Sequence, residues 1–327
     1  TYLGPQTLPV YAEGEPFLKE NITGETRFQS GEPVQTYHGP EFRFSARYAL
    51  SNQSSLKAGV NSMRQNIHLL SNSSVITPTD TWKLSDSFLK PQQGIQYALG
   101  YFKNMNQGAF EFSAELYYRS MQNLLDYRSG ASIVLNDRIE QEVLVTQGKA
   151  YGMELYLKKS TGKLNGTLAY TYSRSLMQTD PSEQKEQINR SEWYPSNFDQ
   201  PHNANFVGNL ELSKRVNVTL AGKYSTGRPV TLPIAKFNYG GSERVYFSDR
   251  NSFRVPDYFR MDLSVNLEGN HKIAKLAHAS WSFGVYNLLG RDNAYSVYFV
   301  PEAGKLRGYQ LAIFAEPIPF ITYNFRF

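Results

Sequence analysis

The chain contains no cysteine in its 327 residues. That excludes disulfide frameworks and thiolate zinc sites. A chain without thiols also suits passage through an oxidising compartment. No apolar run approaches the roughly 18 residues of a transmembrane helix. No block of Lys and Arg is present, and a net charge of +5 with a pI near 9.1 is modest for this length, so a nucleic-acid partner is not indicated. Neither G-x-S-x-G nor a glycine-rich G-K-[ST] occurs, which removes the serine-hydrolase elbow and the phosphate loop. The start, Thr1-Tyr2-Leu3-Gly4-Pro5, lacks the basic, apolar and small-residue segments of a secretory signal, so the expectation is a processed chain or a fragment.

Aromatics are plentiful: 23 Tyr and 20 Phe, with aromatic residues at 14% of the chain, yet mean hydropathy is −0.48. Strands that alternate lipid-facing apolar with lumen-facing polar residues, girdled by aromatics, give this combination. A soluble β-sandwich gives a similar average, so the segment-by-segment pattern has to decide.

Period-two alternation recurs about eleven times. Phe42, Phe44, Ala46, Tyr48 and Leu50 oppose Arg43, Ser45, Arg47 and Ala49; Phe110, Phe112, Ala114, Leu116 and Tyr118 oppose Glu111, Ser113, Glu115, Tyr117 and Arg119. Phe259, Met261, Leu263, Val265 and Leu267 oppose Arg260, Asp262, Ser264, Asn266 and Glu268; in the last segment Ile321, Tyr323, Phe325 and Phe327 oppose Thr322, Asn324 and Arg326. Segments begin near Leu56, Ile95, Met153, Leu164, Phe206, Val216 and Trp281 in the same manner. Their lengths suit tilted strands that cross a bilayer.

The connections alternate in length. Tight turns are expected at Ser51–Ser54, Lys103–Gln107, Ser160–Gly162 and Ser213–Lys214, and a medium one over 269–277. Long loops are expected over 65–92, 121–148, 174–201, 226–255 and 290–317. Short turns on one side and long loops on the other are the asymmetry of an outer-membrane barrel. Eleven is an odd number for such a barrel, and an open sheet in lipid leaves unpaired backbone groups, so the eleven strands are expected to form one side of a larger barrel.

Several segments, in order, resemble TonB-dependent receptors of the Bacteroidetes type. Tyr286-Asn287-Leu288-Leu289-Gly290-Arg291-Asp292-Asn293-Ala294-Tyr295 is similar to that family's YN-hydrophobic-hydrophobic-x-R-x-N-x-Y element, and Arg254-Val255-Pro256-Asp257-Tyr258-Phe259-Arg260-Met261-Asp262 to its R-x-P-x-Y-x-R-x-D strand. Tyr224-Ser225-Thr226-Gly227-Arg228-Pro229-Val230-Thr231-Leu232-Pro233 resembles Y-x-T-G-x-P-x-T-L-P; Pro195, Asp199 and His202 resemble P-x-x-x-D-x-x-H. His68 to Asn72, Lys90-Pro91-Gln92 and Gly152 to Leu155 also fit.

The resemblance implies an all-β, antiparallel transmembrane barrel in which residues 1–327 are the C-terminal half of a 22-stranded, plugged wall. The plug and the first half of the barrel would lie outside this sequence. It implies a bacterial outer-membrane receptor that imports a scarce large ligand (iron-siderophore, haem, cobalamin, peptide or glycan) with energy from TonB. The partners implied are the TonB complex through a missing N-terminal segment, the barrel-insertion machinery, a surface lipoprotein, and outer-membrane lipid and lipopolysaccharide. No cofactor is implied. Phe327 would belong to the membrane-insertion signal. The alternatives are a passive porin or structural barrel without a plug, and a soluble β-rich binding module.

For ligand contacts, aromatic and cationic residues of the long loops stand out: Tyr127, Trp193, Tyr194, Tyr246, Phe247, Arg250 and Tyr295. Ring faces stack on sugars, haem or catecholates, and Arg pairs with anionic chelates; the plainer reading is loop packing or the outer girdle. Asp199 with His202 is read as a loop anchor rather than a metal pair, and Arg260 with Asp262 as an ion pair of the wall. Thr226-Gly227-Arg228-Pro229 is read as a strand-end turn in which Gly227 relieves backbone strain. His68 could ligate haem, but with no partner in view a loop role is favoured.

Overall fold

The computed structural model describes all residues except 1, 71–79, 133–135, 181–185, 270–277, 303–304, 314 and 327. The expected terminal aromatic, Phe327, and most of the expected 269–277 turn therefore lie outside the described residues.

Eleven strands form one continuous antiparallel wall, each paired with the next along the chain. They are β1 (Arg43–Ser51), β2 (Ser54–Gln65), β3 (Gln92–Met105), β4 (Phe110–Tyr127), β5 (Val143–Lys159), β6 (Leu164–Thr179), β7 (His202–Ser213), β8 (Val216–Ser225), β9 (Tyr258–Glu268), β10 (His278–Tyr286) and β11 (Ile318–Arg326). The register follows the alternation read from sequence. Leu116 faces Leu99 on one side and Met153 on the other, and Leu220 faces Gly208 and Leu263.

One face of this wall exposes a broad apolar belt: Phe44, Tyr48, Tyr97, Leu99, Leu116, Leu168, Leu212, Phe283, Ile321 and Tyr323 all keep large exposed surfaces. Among the described residues no second layer covers it, and a soluble sheet of this size would bury that face. Lipid is the medium that accounts for it. Near the short-turn end, Trp281 packs on Tyr323 at 4.6 Å between ring centroids, and Tyr323 on Phe325 at 6.2 Å. The opposite face carries Glu111 against Lys158 at 3.1 Å, Arg119 against Gln96, and Asn209 against Thr219, pairings that suit a wet lumen.

The buried apolar core is small and lies at the long-loop end. One cluster joins Leu70, Leu89, Tyr127, Ile139 and Val143; another joins Leu144, Ile188 and Tyr194. β4, β5 and β6 run on for 18, 17 and 16 residues, past the loop boundaries expected from sequence. Above the bilayer their outward positions need no longer be apolar, and Lys149, Gln147, Arg174 and Gln178 occupy them, which hides the alternation. An extra residue in β4 between Met121 and Leu124, with Asn123 in a left-handed conformation (φ 57°), further breaks the period.

The long loops carry hairpins of their own: Ile67–Leu70 with Thr81–Leu84, Pro233–Tyr239 with Ser242–Phe247, and Ala294–Glu302 with Lys305–Ala312. Residues ahead of β1 pair as Gln6–Tyr11 with Ile22–Phe28 and Tyr2–Leu3 with Pro33–Gln35. They join the loop end: the Tyr11 hydroxyl donates to Glu140 at 3.0 Å, and its ring meets Phe17 and Phe88.

Candidate functional site

The sequence motifs meet at the bases of the long loops, where they bolt one loop to the next. Asp199 is fully buried. Its carboxylate accepts the Ser175 N–H at 2.7 Å and Arg174 Nε at 3.2 Å, and pairs with the Arg254 guanidinium. Arg254 Nη1 also donates to the backbone oxygens of Asp199 (2.7 Å) and Gly227 (2.9 Å). His202 and Thr226 exchange backbone and hydroxyl bonds, and His202 Nδ1 lies 2.8 Å from the Tyr170 hydroxyl. Asp199 and His202 thus serve as separate anchors.

Asp257 is the next junction. Its carboxylate accepts the Tyr224 hydroxyl at 2.7 Å and the Gly227 N–H at 2.9 Å. Those two bonds, the hydroxyl first, hold its pKa below the ordinary carboxylate value. Gly227 is required by close approach rather than by a left-handed backbone: it is absent from the positive-φ glycines, and a Cβ there would lie 1.7 Å from the Val255 carbonyl oxygen. Asp262 then accepts Arg260 Nε at 2.7 Å and the Asn287 N–H at 2.9 Å, the wall ion pair expected from sequence. Asn293 Oδ1 accepts the Phe259 N–H at 2.9 Å, and Arg291 donates to the Asp257 carbonyl at 3.0 Å.

Above this belt sits a cavity of about 620 Å³, formed where the loops after β4, β6, β8 and β10 converge. Five of the seven aromatic and cationic residues singled out by sequence line it: Tyr127, Tyr246, Phe247, Arg250 and Tyr295. Tyr246 and Phe247 are 58% and 54% exposed, and Tyr295 is also exposed, so these three present ring faces. Tyr127 is only 4% exposed and belongs to the apolar core. Arg250 is a latch. Its Nη1 donates to Asp126 at 2.7 Å, its Nη2 to the Tyr127 carbonyl at 2.7 Å, and its backbone N–H to Asn189 at 2.7 Å.

Two of the seven stand apart from the cavity. Trp193 stacks under Lys149, whose Nζ lies 3.8 Å from the ring centroid. Tyr194 is 2% exposed and donates to Asp126 at 2.7 Å; burial pushes its hydroxyl pKa up. Sequence reading missed Arg228, which lines this cavity and stacks over Tyr295 at 5.9 Å. It sits in the T-G-R-P element, so the turn reading obscured it.

A second cavity, of about 750 Å³, lies between residues 14–17, 87–90 and the tops of β4 and β5. His68 is fully buried, between the Ser85 hydroxyl at 3.1 Å and Gln92 Nε2 at 3.2 Å. Burial lowers its pKa. Both ring nitrogens are thereby engaged within the loop. No group of three or more potential metal-ligating His, Asp or Glu side chains occurs among the described residues.

The family model described as TonB dependent receptor-like, beta-barrel matches residues 21–288. Among solved structures, Fiu, the ferric-catecholate import receptor of E. coli K12, is 13% identical with a TM-score of 0.55, over 97% of this chain and 39% of that one. The ferripyoverdine receptor of the Pseudomonas aeruginosa outer membrane is 13% identical with a TM-score of 0.54, over 93% and 34%. BauA, the ferric preacinetobactin receptor from Acinetobacter baumannii, is 11% identical with a TM-score of 0.51, over 86% and 35%. At these identities the likeness is one of fold, and the chain spans little more than a third of those receptors' lengths. Among curated protein sequences, none matches. An eleven-strand wall with a lipid-facing belt, its loops bolted at one end, and a family match over most of its length lead to one assignment: the chain belongs to the TonB-dependent receptor β-barrel family, a family of outer-membrane receptors and not of enzymes.

Proposed function

We propose that the chain is the C-terminal half of a plugged outer-membrane barrel that takes up a ferric chelate with energy from TonB. The observation that carries the reading is the wall itself. Among the described residues it is a single open sheet with unpaired edges at β1 and β11, which needs further strands to close in lipid. Solved receptors whose fold it shares extend well beyond it in length. A plug, a TonB-binding segment and the remaining strands belong, on this reading, to the part outside this sequence.

The loop-end cavity supports the ligand class. Tyr246, Phe247 and Tyr295 offer ring faces, and Arg228 offers a charge with no carboxylate partner among the described residues. The three solved receptors above are named for iron chelates. Of the seven residues expected from sequence to bind ligand, Tyr246, Phe247 and Tyr295 are the ones proposed for contact; Tyr127, Tyr194 and Arg250 shape the cavity's support, and Trp193 lies outside it. Contact with lipopolysaccharide, the barrel-insertion machinery and a surface lipoprotein is part of the same proposal.

The test is accumulation of radioactive iron, supplied as its 2,3-dihydroxybenzoate complex, by cells that depend on this receptor. Uptake is expected to stop when TonB is deleted and to fall in a Tyr246→Ala, Phe247→Ala double variant. Uptake that persists without TonB identifies a passive pore and overturns the proposal.

A further inference from the structure

A pocket of about 340 Å³ opens just beneath the loop cavity, and the two share Arg228, Val255 and Tyr295 in their linings. The pocket belongs to the lumen side. Lys223, Tyr258 and Arg260 occupy the polar parity of β8 and β9, opposite Leu220 and Leu263.

Its charge is one-sided. Lys223 and Arg260 face each other directly across the two strands. Like charges in that relation repel unless something between them compensates. Arg260 has Asp262 at 2.7 Å, but Lys223 and Arg228 have no carboxylate partner among the described residues. Each is instead set against a tyrosine ring, Lys223 against Tyr258 and Arg228 against Tyr295, both at 5.9 Å; Arg228 Nη2 also donates to the Tyr295 carbonyl oxygen at 2.5 Å, which leaves the guanidinium's charge uncompensated. Among the described residues no Asp or Glu lines the pocket. Two other like-charge pairs occur on this wall, Arg47 with Lys57 and Glu115 with Glu154, but neither borders any of the three cavities.

We infer that this pocket is a second binding subsite, in the lumenal wall below the loops, for the anionic group of a planar aromatic ligand. Lys223 and Arg228 pair with a carboxylate or catecholate oxygen while Tyr258 and Tyr295 flank the ring. Arg228 borders both cavities, so a ligand can exchange its contact from the loop side to the lumen side without losing that charge. The inference rests on the uptake reading for its ligand class, but its test does not depend on transport.

The test is calorimetric titration of the whole receptor, purified in detergent from outer membranes, with 2,3-dihydroxybenzoate and with its uncharged amide, 2,3-dihydroxybenzamide. Lys223→Gln is expected to weaken the benzoate about tenfold, the loss of one charge-assisted hydrogen bond, and to leave the amide within about twofold. Lys223→Gln with Arg228→Gln is expected to abolish the preference for the anion. Lys223 is exposed, so the variants are expected to keep the wild-type mobility shift on heating, which confirms a folded barrel.

Three outcomes overturn the subsite: no binding of the benzoate by the wild-type receptor, as when the plug fills the pocket; equal weakening of both compounds by Lys223→Gln; or loss only in the Tyr246→Ala, Phe247→Ala variant. Iron uptake that fails while the benzoate still responds to Lys223→Gln overturns the transport reading and leaves the subsite standing.

Discussion

Removing the Asp199 carboxylate is the sharpest perturbation of the loop bases. The side chain is wholly buried and holds three partners: the Ser175 N–H at 2.7 Å, Arg174 at 3.2 Å, and Arg254. Truncating one member of a buried ion pair costs about 3–5 kcal/mol. Arg174 and Arg254 retain 29% and 28% exposure, so water reaches both and moves the cost of Asp199→Ala to the lower end, about 3 kcal/mol. The wall strands keep their ladders in lipid, so the loss is expected as local opening of the loop end rather than global unfolding. About 3 kcal/mol is roughly a hundredfold in an opening equilibrium. Amide hydrogen exchange in detergent is the assay: Ser175 and Gly227 should exchange about a hundredfold faster than in wild type, while amides in the middle of β8 and β9 stay unchanged. Asp199→Asn keeps an oxygen acceptor without the charge and should fall between. Exchange at Ser175 and Gly227 within about threefold of wild type in Asp199→Ala would refute the claim that this residue fastens the loops.

Three further outcomes follow from the same belt. Gly227→Ala places a Cβ 1.7 Å from a backbone oxygen, so the 226–257 connection must shift; faster protease cleavage of that connection, with the barrel still inserted, is expected. Asp257 has a lowered pKa, so its contribution is complete above the ordinary carboxylate value and is lost as pH falls through the lower folded value. The protection factor of the Gly227 amide, corrected for the intrinsic exchange rate, should fall only at strongly acid pH, and Asp257→Asn should remove that dependence. His68 is buried with its pKa lowered, so the folded loop disfavours the proton; the hairpin Ile67–Leu70 with Thr81–Leu84 should lose protection from exchange as pH drops below the ordinary His value near 6.5, and His68→Gln should make that protection factor, corrected for the intrinsic exchange rate, independent of pH in this range.

Where the wall lies in lipid, sequence and structure agree strand for strand, because a period-two pattern with an apolar side dictates both strand and register. Where strands rise above the membrane the pattern carries no such information. Arg174 and Lys149 take positions that Tyr170 and Met153 hold lower down, so the upper parts of β5 and β6 read as loop. The hairpins inside the loops and those ahead of β1 have neither long alternation nor a lipid face to betray them. At the site, the aromatic and cationic residues of the long loops do gather at one end, but sequence cannot separate a ring that lines a cavity from one that builds the core beneath it. Tyr246 does the first and Tyr127 the second. Asp199 and Asp257 were visible as parts of motifs, whereas their arginine and glycine partners became legible only when the loops converged.

The uneven strand lengths make the loop end of the wall uneven in construction. β6 continues for seven residues beyond Tyr172, where β7 begins opposite it at His202. At about 3.4 Å per residue this is a step of some 20 Å along the strand. β4 to β6 therefore rise higher as sheet than β7 to β11, and above the shorter strands stand the hairpins of the loops after β8 and β10, which carry the loop cavity's Tyr246, Phe247 and Tyr295. Over the shorter strands the height of the loop end is thus built by loops and hairpins rather than by wall ladder, so that side of the cavity can rearrange without breaking a single strand pair of the wall.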